Sequence, residues 1–188
     1  MPTFFTSLIY RLAALITLML GAIWIGVSAV PPGQTTQGKI PAPRAGFVAP
    51  DFTLSTLDGE SITLSALEGH PVVVNLWASW CGPCRAEMPA LQRVYEAYRD
   101  SGLLILAVNA TNQDSETAAQ AFVTENGLTF PILLDLDGAA SRLYELRALP
   151  STYFIRPDGI IEEVVIGGPM AEALLRTRVE TLLALSDK

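Results

Sequence analysis

Two hydrophobic patterns divide this chain. Leu12 to Val30 (LAALITLMLGAIWIGVSAV) is apolar without a single charge, whereas beyond residue 46 apolar and polar positions follow strand-like and helix-like rhythms in turn. In that second part, Phe52–Leu57 and Glu60–Leu64 flank Asp58-Gly59, a turn dipeptide that predicts a β-hairpin. Pro71–Trp77 (PVVVNLW) is a nearly continuous apolar run, as a central strand covered on both faces requires. From about Pro83 to Arg99, Cys84, Met88, Leu91, Tyr95 and Tyr98 recur at three- and four-residue steps, which predicts a helix. Leu103–Asn109 reads as a second buried strand, and Asp114–Asn126 as a helix with Gly127 as its C-cap. Thr129–Leu134 reads as a strand and Gly138–Arg147 as a short helix. Ser151–Arg156 and Ile160–Ile166, joined at Pro157-Asp158-Gly159, predict a second hairpin. Met170–Leu185 closes the chain as an amphipathic helix with Leu175, Val179, Leu182 and Leu183 on one side. Strands alternating with helices, then a terminal hairpin, imply an α/β sandwich around a mixed central sheet.

The apolar run is a different kind of segment. As a helix its 19 residues reach about 28 Å, close to the hydrocarbon core of a bilayer. A helix of a globular core would carry a polar stripe, and this one has none. Val27-Ser28-Ala29 offers the small residues a signal peptidase needs, but the run exceeds the h-region of roughly 7–15 residues typical of cleaved signals. An uncleaved anchor is therefore the preferred reading over a cleavable signal, and both export the rest of the chain. Pro31–Gly46 (PPGQTTQGKIPAPRAG) has four Pro, three Gly and little apolar content, as expected of an extended, semi-stiff spacer. The expected organisation is an anchor over 1–30, a linker over 31–46 and one domain over 47–188.

Composition sharpens this division. The chain is 50% hydrophobic and 16% charged, against about 25% charged in ordinary soluble domains, and the N-terminal run accounts for part of the imbalance. Twelve Lys plus Arg against 19 Asp plus Glu give a formal net charge of −7, which argues against nucleic-acid binding. Two cysteines and one histidine cannot fill a four-ligand zinc site, and no cofactor is implied. The cysteines can make one pair and no disulfide framework.

That pair carries the chemistry. Trp77-Ala-Ser-Trp-Cys-Gly-Pro-Cys-Arg-Ala-Glu-Met-Pro89 joins a buried strand to the start of a helix. Two Cys separated by two residues can close a small disulfide if the first turn of a helix holds them, and Pro83 fits the opening of such a helix. Cys81 then stands at the helix N-terminus, where unpaired amides and the macrodipole favour its thiolate and make it the attacking nucleophile. Cys84, one turn inside, is placed to resolve a mixed disulfide. A c-type haem attachment would need His after the second Cys, where Arg85 stands. Inert core thiols would not account for both cysteines falling beside Gly-Pro at a strand–helix junction.

WCGPC after an apolar strand resembles the thioredoxin superfamily, and the longer WCGPCRAEMP resembles its membrane-anchored TlpA/ResA-like thiol-disulfide oxidoreductases. The resemblance runs from about Ala49 to the C-terminus, taking in Ala49-Pro-Asp-Phe-Thr-Leu54, the segment around Asp114–Leu134 and Leu149-Pro-Ser-Thr-Tyr-Phe154. It implies a thioredoxin-like α/β fold with an N-terminal hairpin and a βα insertion. It also implies that Pro150 is the family's cis-proline and, with Leu149, helps bind an extended substrate. Glu87 matches the family's active-site glutamate, three residues after Cys84 and on the same helix face; a buried carboxylate there could take and return the Cys84 proton. Trp77 reads as core packing, while Trp80 could present its face to a docking partner beside Cys81. Asn75 departs from thioredoxin, which has a buried aspartate six residues before its first cysteine; the departure strengthens the case for Glu87. His70 reads as a solvated loop residue.

The function the resemblance implies is reduction of protein disulfides outside the cytoplasmic membrane. Apocytochrome c is the implied substrate class and a membrane thiol-disulfide protein the implied electron donor. Two alternatives stand beside it. A peroxiredoxin-like peroxidase shares the Ala-Pro-Asp-Phe opening but needs a threonine three residues before the reactive cysteine, where this chain has Ala78. A tethered docking module would use the disulfide only structurally.

Overall fold

The computed structural model describes residues 13–21, Trp24 and residues 40–186, in two units that divide between Thr36 and Gln37. In the first unit, residues 13–21 and Trp24 are helical. The rest of the expected 12–30 span and residues 31–39 of the expected linker lie outside the described residues. Among the described residues no helix is long and apolar enough to cross a membrane.

The second unit is built on seven strands: β1 (Thr53–Thr56), β2 (Ser61–Thr63), β3 (Val72–Trp77), β4 (Leu104–Asn109), β5 (Ile132–Leu134), β6 (Ser151–Ile155) and β7 (Ile161–Ile166). Their order in the sheet is β2-β1-β5-β4-β3-β6-β7. The central trio β5, β4 and β3 is parallel, and the two hairpins flank it antiparallel. The sheet is therefore mixed, as the alternation of patterns implied. Residues 41–48 lie on this unit: the Gly46 amide donates to the Ile161 carbonyl, and the Ile161 amide donates to the Phe47 carbonyl.

Four helices cover the sheet: α1 (Gly82–Tyr98), α2 (Glu116–Asn126), α3 (Ala139–Leu143) and α4 (Glu172–Ser186). All six residues of β3 are buried, so both faces of the sheet need apolar cover. Val73 and Trp77 pack with Met88, Leu91 and Val94 of α1, Phe122 of α2 and Leu175, Val179 and Leu182 of α4. Val72, Val74 and Leu76 pack on the other face with Phe52, Tyr144 and Tyr153. Asn75, in phase with Val73 and Trp77, is the polar member of the α1 face, and it reaches that helix by a hydrogen bond (below).

Among the boundaries that differ from the hydrophobic pattern, three show what overrides it. The strand expected over Thr129–Leu134 starts only at Ile132, because the Thr129 amide donates to Gln92 Oε1 at 2.9 Å and Pro131 has no amide. The helix expected over Gly138–Arg147 is only Ala139–Leu143. Asp135 caps its start by accepting from the Ala140 and Ser141 amides, and Glu145 turns the chain with a φ of 47°. The last helix starts at Glu172 rather than Met170, whose amide is held by a side chain of α1. Gly127 ends α2 in the left-handed conformation with a φ of 60°, the C-cap its residue type suits.

Candidate active site

β3 delivers the chain to the C-terminal edge of the parallel strands, and α1 begins there. Cys81 is the N-cap of α1: its Sγ accepts from the Cys84 amide at 3.2 Å, with Pro83 in the first turn where no amide is needed. Cys81 and Cys84 are joined as a disulfide with their Cα atoms 5.2 Å apart. The two sulfurs are not equivalent. Cys81 lines an open groove of about 340 Å³ together with Trp80, Pro83, Gln113, Leu146 and Leu149, whereas Cys84 is 1% exposed and does not line it. Cys81 is itself 4% exposed, and it is the one of the two that borders the groove.

Trp80 is 59% exposed, and its indole N–H donates to the Gln113 carbonyl at 2.9 Å, which fixes the ring along the groove. Its neighbour Ser79 is clamped to Asp114: the Ser79 amide and hydroxyl donate to the two carboxylate oxygens at 2.6 and 2.7 Å. Asn109, at the end of β4, donates to the same carboxylate at 2.8 Å. Burial works to raise the Asp114 pKa, but the bonds from Asn109, Ser79 and Ser115 outweigh it and hold the carboxyl below its ordinary value. The segment between β4 and β5 is thus tied to the turn that presents Cys81. Sequence reasoning did not find this latch, because 35 residues separate its partners.

Glu87 lies one turn beyond Cys84 on the buried face of α1 and is 1% exposed. Three segments hold it. The Met170 amide donates to Oε2 at 2.7 Å, and Asn75 Nδ2 donates to Oε1 at 3.1 Å while also donating to Thr152 Oγ1 at 2.8 Å. Asn75 Oδ1 is buried without a partner among the described residues. Burial pushes the Glu87 carboxyl above its ordinary value, and the bonds from Met170, Asn75 and Thr152 only partly oppose it. Glu87 therefore resembles Asp114 in chemistry and is displaced in the opposite direction.

The Leu149–Pro150 bond is cis. Leu149 lines the groove with Cys81 and Trp80; Pro150 is buried and meets the Glu87 side of the site instead, across Gly168. Gly168 and Met170 were not singled out in the sequence, where Gly167-Gly168-Pro169 shows only a break between a strand and a helix. His70 is exposed in the loop before β3, at the opposite end of that strand from Cys81. Trp77 is fully buried against Phe122 with ring centroids 5.4 Å apart. Among the described residues, no group of three His, Cys, Asp or Glu side chains could hold a metal ion.

Residues 45–164 match the model of the AhpC/TSA family. A protein named thiol-disulfide oxidoreductase ResA from Oceanobacillus iheyensis is 43% identical over 128 residues, covering 66% of this chain and 66% of that protein. A ResA from Halalkalibacterium halodurans is 40% identical over 139 residues, covering 74% and 77% respectively. Among solved structures, a secreted Mycobacterium tuberculosis disulfide oxidoreductase homologous to E. coli DsbE is 31% identical with a TM-score of 0.64. That alignment covers 70% of this chain and 96% of the other.

Proposed function

Because the chain belongs to the AhpC/TSA family and is a thioredoxin-like thiol-disulfide oxidoreductase of the ResA/DsbE type, we propose that it reduces protein disulfides on the extracytoplasmic side of the cytoplasmic membrane. The observation that carries this reading is the asymmetry of the pair: Cys81 on the groove, Cys84 sealed behind it, and a buried carboxyl one turn further along α1.

In the reduced protein, the Cys81 thiolate at the start of α1 attacks a substrate disulfide, forming a mixed disulfide and releasing one substrate thiolate. Glu87 takes the proton of Cys84. The Cys84 thiolate then attacks Cys81 Sγ, closing the Cys81–Cys84 bond and expelling the second substrate thiolate. Two electrons have passed from the pair to the substrate, and a membrane dithiol protein returns them. Trp80 and Leu149 supply the groove walls against which an extended substrate segment lies, and Pro150 supports the backbone next to them. The apolar run from Leu12 to Val30 tethers the domain, and the Pro- and Gly-rich stretch after it acts as the spacer. Apocytochrome c, whose CxxCH thiols must be reduced before haem attachment, is the substrate class proposed from the family resemblance.

A peroxidase is less favoured: the residue three before Cys81 is Ala78, which is buried and has no hydroxyl to orient a peroxide. Trapping tests the main reading. With Cys84→Ala in cells, substrates remain disulfide-linked to Cys81, and apocytochromes are the expected catch; a broad set of exported proteins would point to a general oxidant or isomerase. Equilibration with glutathione or dithiothreitol buffers tests direction, and a potential near the value of about −120 mV typical of strong oxidants would overturn the reductase reading.

A further inference from the structure

The loop from Gly167 to Met170 joins β7 to α4 and closes over the buried carboxyl of Glu87. A Cβ added to Gly168 would stand 2.8 Å from Glu87 Oε2, 2.7 Å from Pro150 Cγ and 3.2 Å from Pro150 Cδ. Neither neighbour can give way cheaply. Pro150 is a rigid ring, and the carboxyl is tied at both oxygens, by the Met170 amide at 2.7 Å and by Asn75 at 3.1 Å. Gly168 is not among the glycines with a positive φ, so its backbone conformation does not call for glycine. The space does. Gly168 is exposed, so nothing in the core demands a small residue on its outer side.

We propose that Gly168 and the Met170 amide are positioning elements for Glu87, the missing Cβ leaving the room that its carboxyl occupies and the amide holding it one turn from Cys84. The inference rests on the reading that Glu87 exchanges a proton with Cys84, and it makes this loop, rather than α1 alone, a determinant of that exchange. The groups facing the carboxyl are Asn75 from β3, Thr152 from β6, Pro150, Gly168 and the Met170 amide from the loops, and Cys84 from its own helix. Of these, Cys84 is the one that titrates, and only when reduced. Since burial is the largest influence on Glu87, pushing the carboxyl out of its place lowers its proton affinity even though the amide bond is lost as well.

The test uses the full-length reduced chain in detergent micelles, labelled with 15N-methionine and with 13C at the glutamate carboxyl. Met170 is one of four methionines, so its amide is readily assigned by Met170→Leu. The Met170 amide shift should follow the Glu87 carboxyl titration with the same midpoint and should lose that step in Glu87→Gln. Gly168→Ala should lower the Glu87 midpoint by about one pH unit, a tenfold loss of proton affinity. It should also displace the pH profile of Cys84 alkylation in the Cys81→Ser background, and add nothing to the displacement caused by Glu87→Gln. A Met170 amide that does not titrate with Glu87 overturns the proposal, and this measurement requires no change at Gly168 should Gly168→Ala fail to fold. An unmoved Glu87 midpoint in folded Gly168→Ala overturns it too, as does a shift in the Cys84 profile that persists undiminished in Glu87→Gln. If instead Glu87→Gln leaves the Cys84 profile where it was while Met170 and Glu87 titrate together, the positioning role stands and the proton-exchange reading falls.

Discussion

Glu87→Gln separates burial from charge at this site. Glu87 is 1% exposed, and burial, its largest influence, holds the carboxyl above its ordinary value. A glutamine keeps an oxygen for the Met170 amide but turns an NH2 group towards Asn75 Nδ2, which stands 3.1 Å from the present oxygen. Donor would then face donor. Turning the Asn75 amide over only moves the conflict, because its NH2 group then points to the buried position where Oδ1 now has no partner. The substitution therefore leaves one buried donor without an acceptor, a cost of about 1–3 kcal/mol. Against it stands the linkage to protons. A carboxyl whose folded pKa is raised contributes stability that is complete below its unfolded value of 4.5 and is lost as pH rises through the folded value. Each unit of separation withdraws about 1.4 kcal/mol from the wild type, and the glutamine has no proton to lose. The expected outcome is that the wild type matches or exceeds Glu87→Gln near pH 4 and that the difference moves towards the variant as pH rises from 4.5, levelling off above the folded value. Urea unfolding of the oxidised full-length chain in micelles, followed by near-ultraviolet circular dichroism, measures it. A difference that stays constant over this range, within the extrapolation error of about 10–15%, or one that moves towards the wild type, refutes burial as the dominant influence on Glu87.

Asp114→Ala removes the acceptor of the Ser79 amide, the Ser79 hydroxyl and Asn109, and should cost about 3 kcal/mol in unfolding free energy at neutral pH. Because the Asp114 pKa is lowered, that contribution is present above its unfolded value of 3.8 and fades as pH falls through the folded one, so the gap between wild type and variant should narrow in acid. Trp77→Phe should cost about 1 kcal/mol, well below the 3–5 kcal/mol of a Trp→Ala change, because the buried indole N–H has no acceptor and its removal offsets part of the cavity; thermal unfolding of the two variants side by side checks the ratio. Asn75→Asp places a second carboxyl about 3 Å from Glu87 Oε1, where the two cannot both ionise. Its stability should fall more steeply with rising pH than that of the wild type in the same urea series.

How much of this was legible in the sequence depends on chain distance. The strand over Val72–Trp77, the Cys81–Cys84 pair and the helix carrying Glu87 are contiguous, and periodicity with a turn dipeptide suffices to place them. The hairpin at Asp58-Gly59 and the C-cap at Gly127 rest on equally local chemistry. The cradle of Glu87 does not. It joins residues 75, 87, 152 and 170, with 83 residues between Glu87 and Met170. The break at Gly167-Gly168-Pro169 marks where a strand ends but carries no sign of which side chain lies beneath. Likewise nothing in the run from Asp114 shows that its first residue reaches back to Ser79 rather than capping its own helix. The over-long strand at Thr129 fails for the same reason, since Gln92 claims the Thr129 amide, whereas the over-long helix from Gly138 stops at Leu143 because the chain turns at Glu145 with a φ of 47°.

Glu87 and Asp114 are pushed in opposite directions, and the reason is the balance between burial and the donors each receives. Asp114 collects two backbone amides, a hydroxyl and an amide side chain at a partly exposed position, so its charge is supported and its geometry rigid. Glu87 receives one backbone amide, an amide side chain and the Thr152 hydroxyl in a nearly sealed site, where burial outweighs them and raises its proton affinity. A group whose charge is well supported is suited to holding the loop that presents Cys81, and a buried carboxyl with raised proton affinity is suited to receiving a proton. Separation of this kind argues against treating either carboxylate as general acidic surface. Asn75 leaves Glu87 as the ionisable carboxyl among the described groups of that cradle, and its own contribution is the bond that orients it.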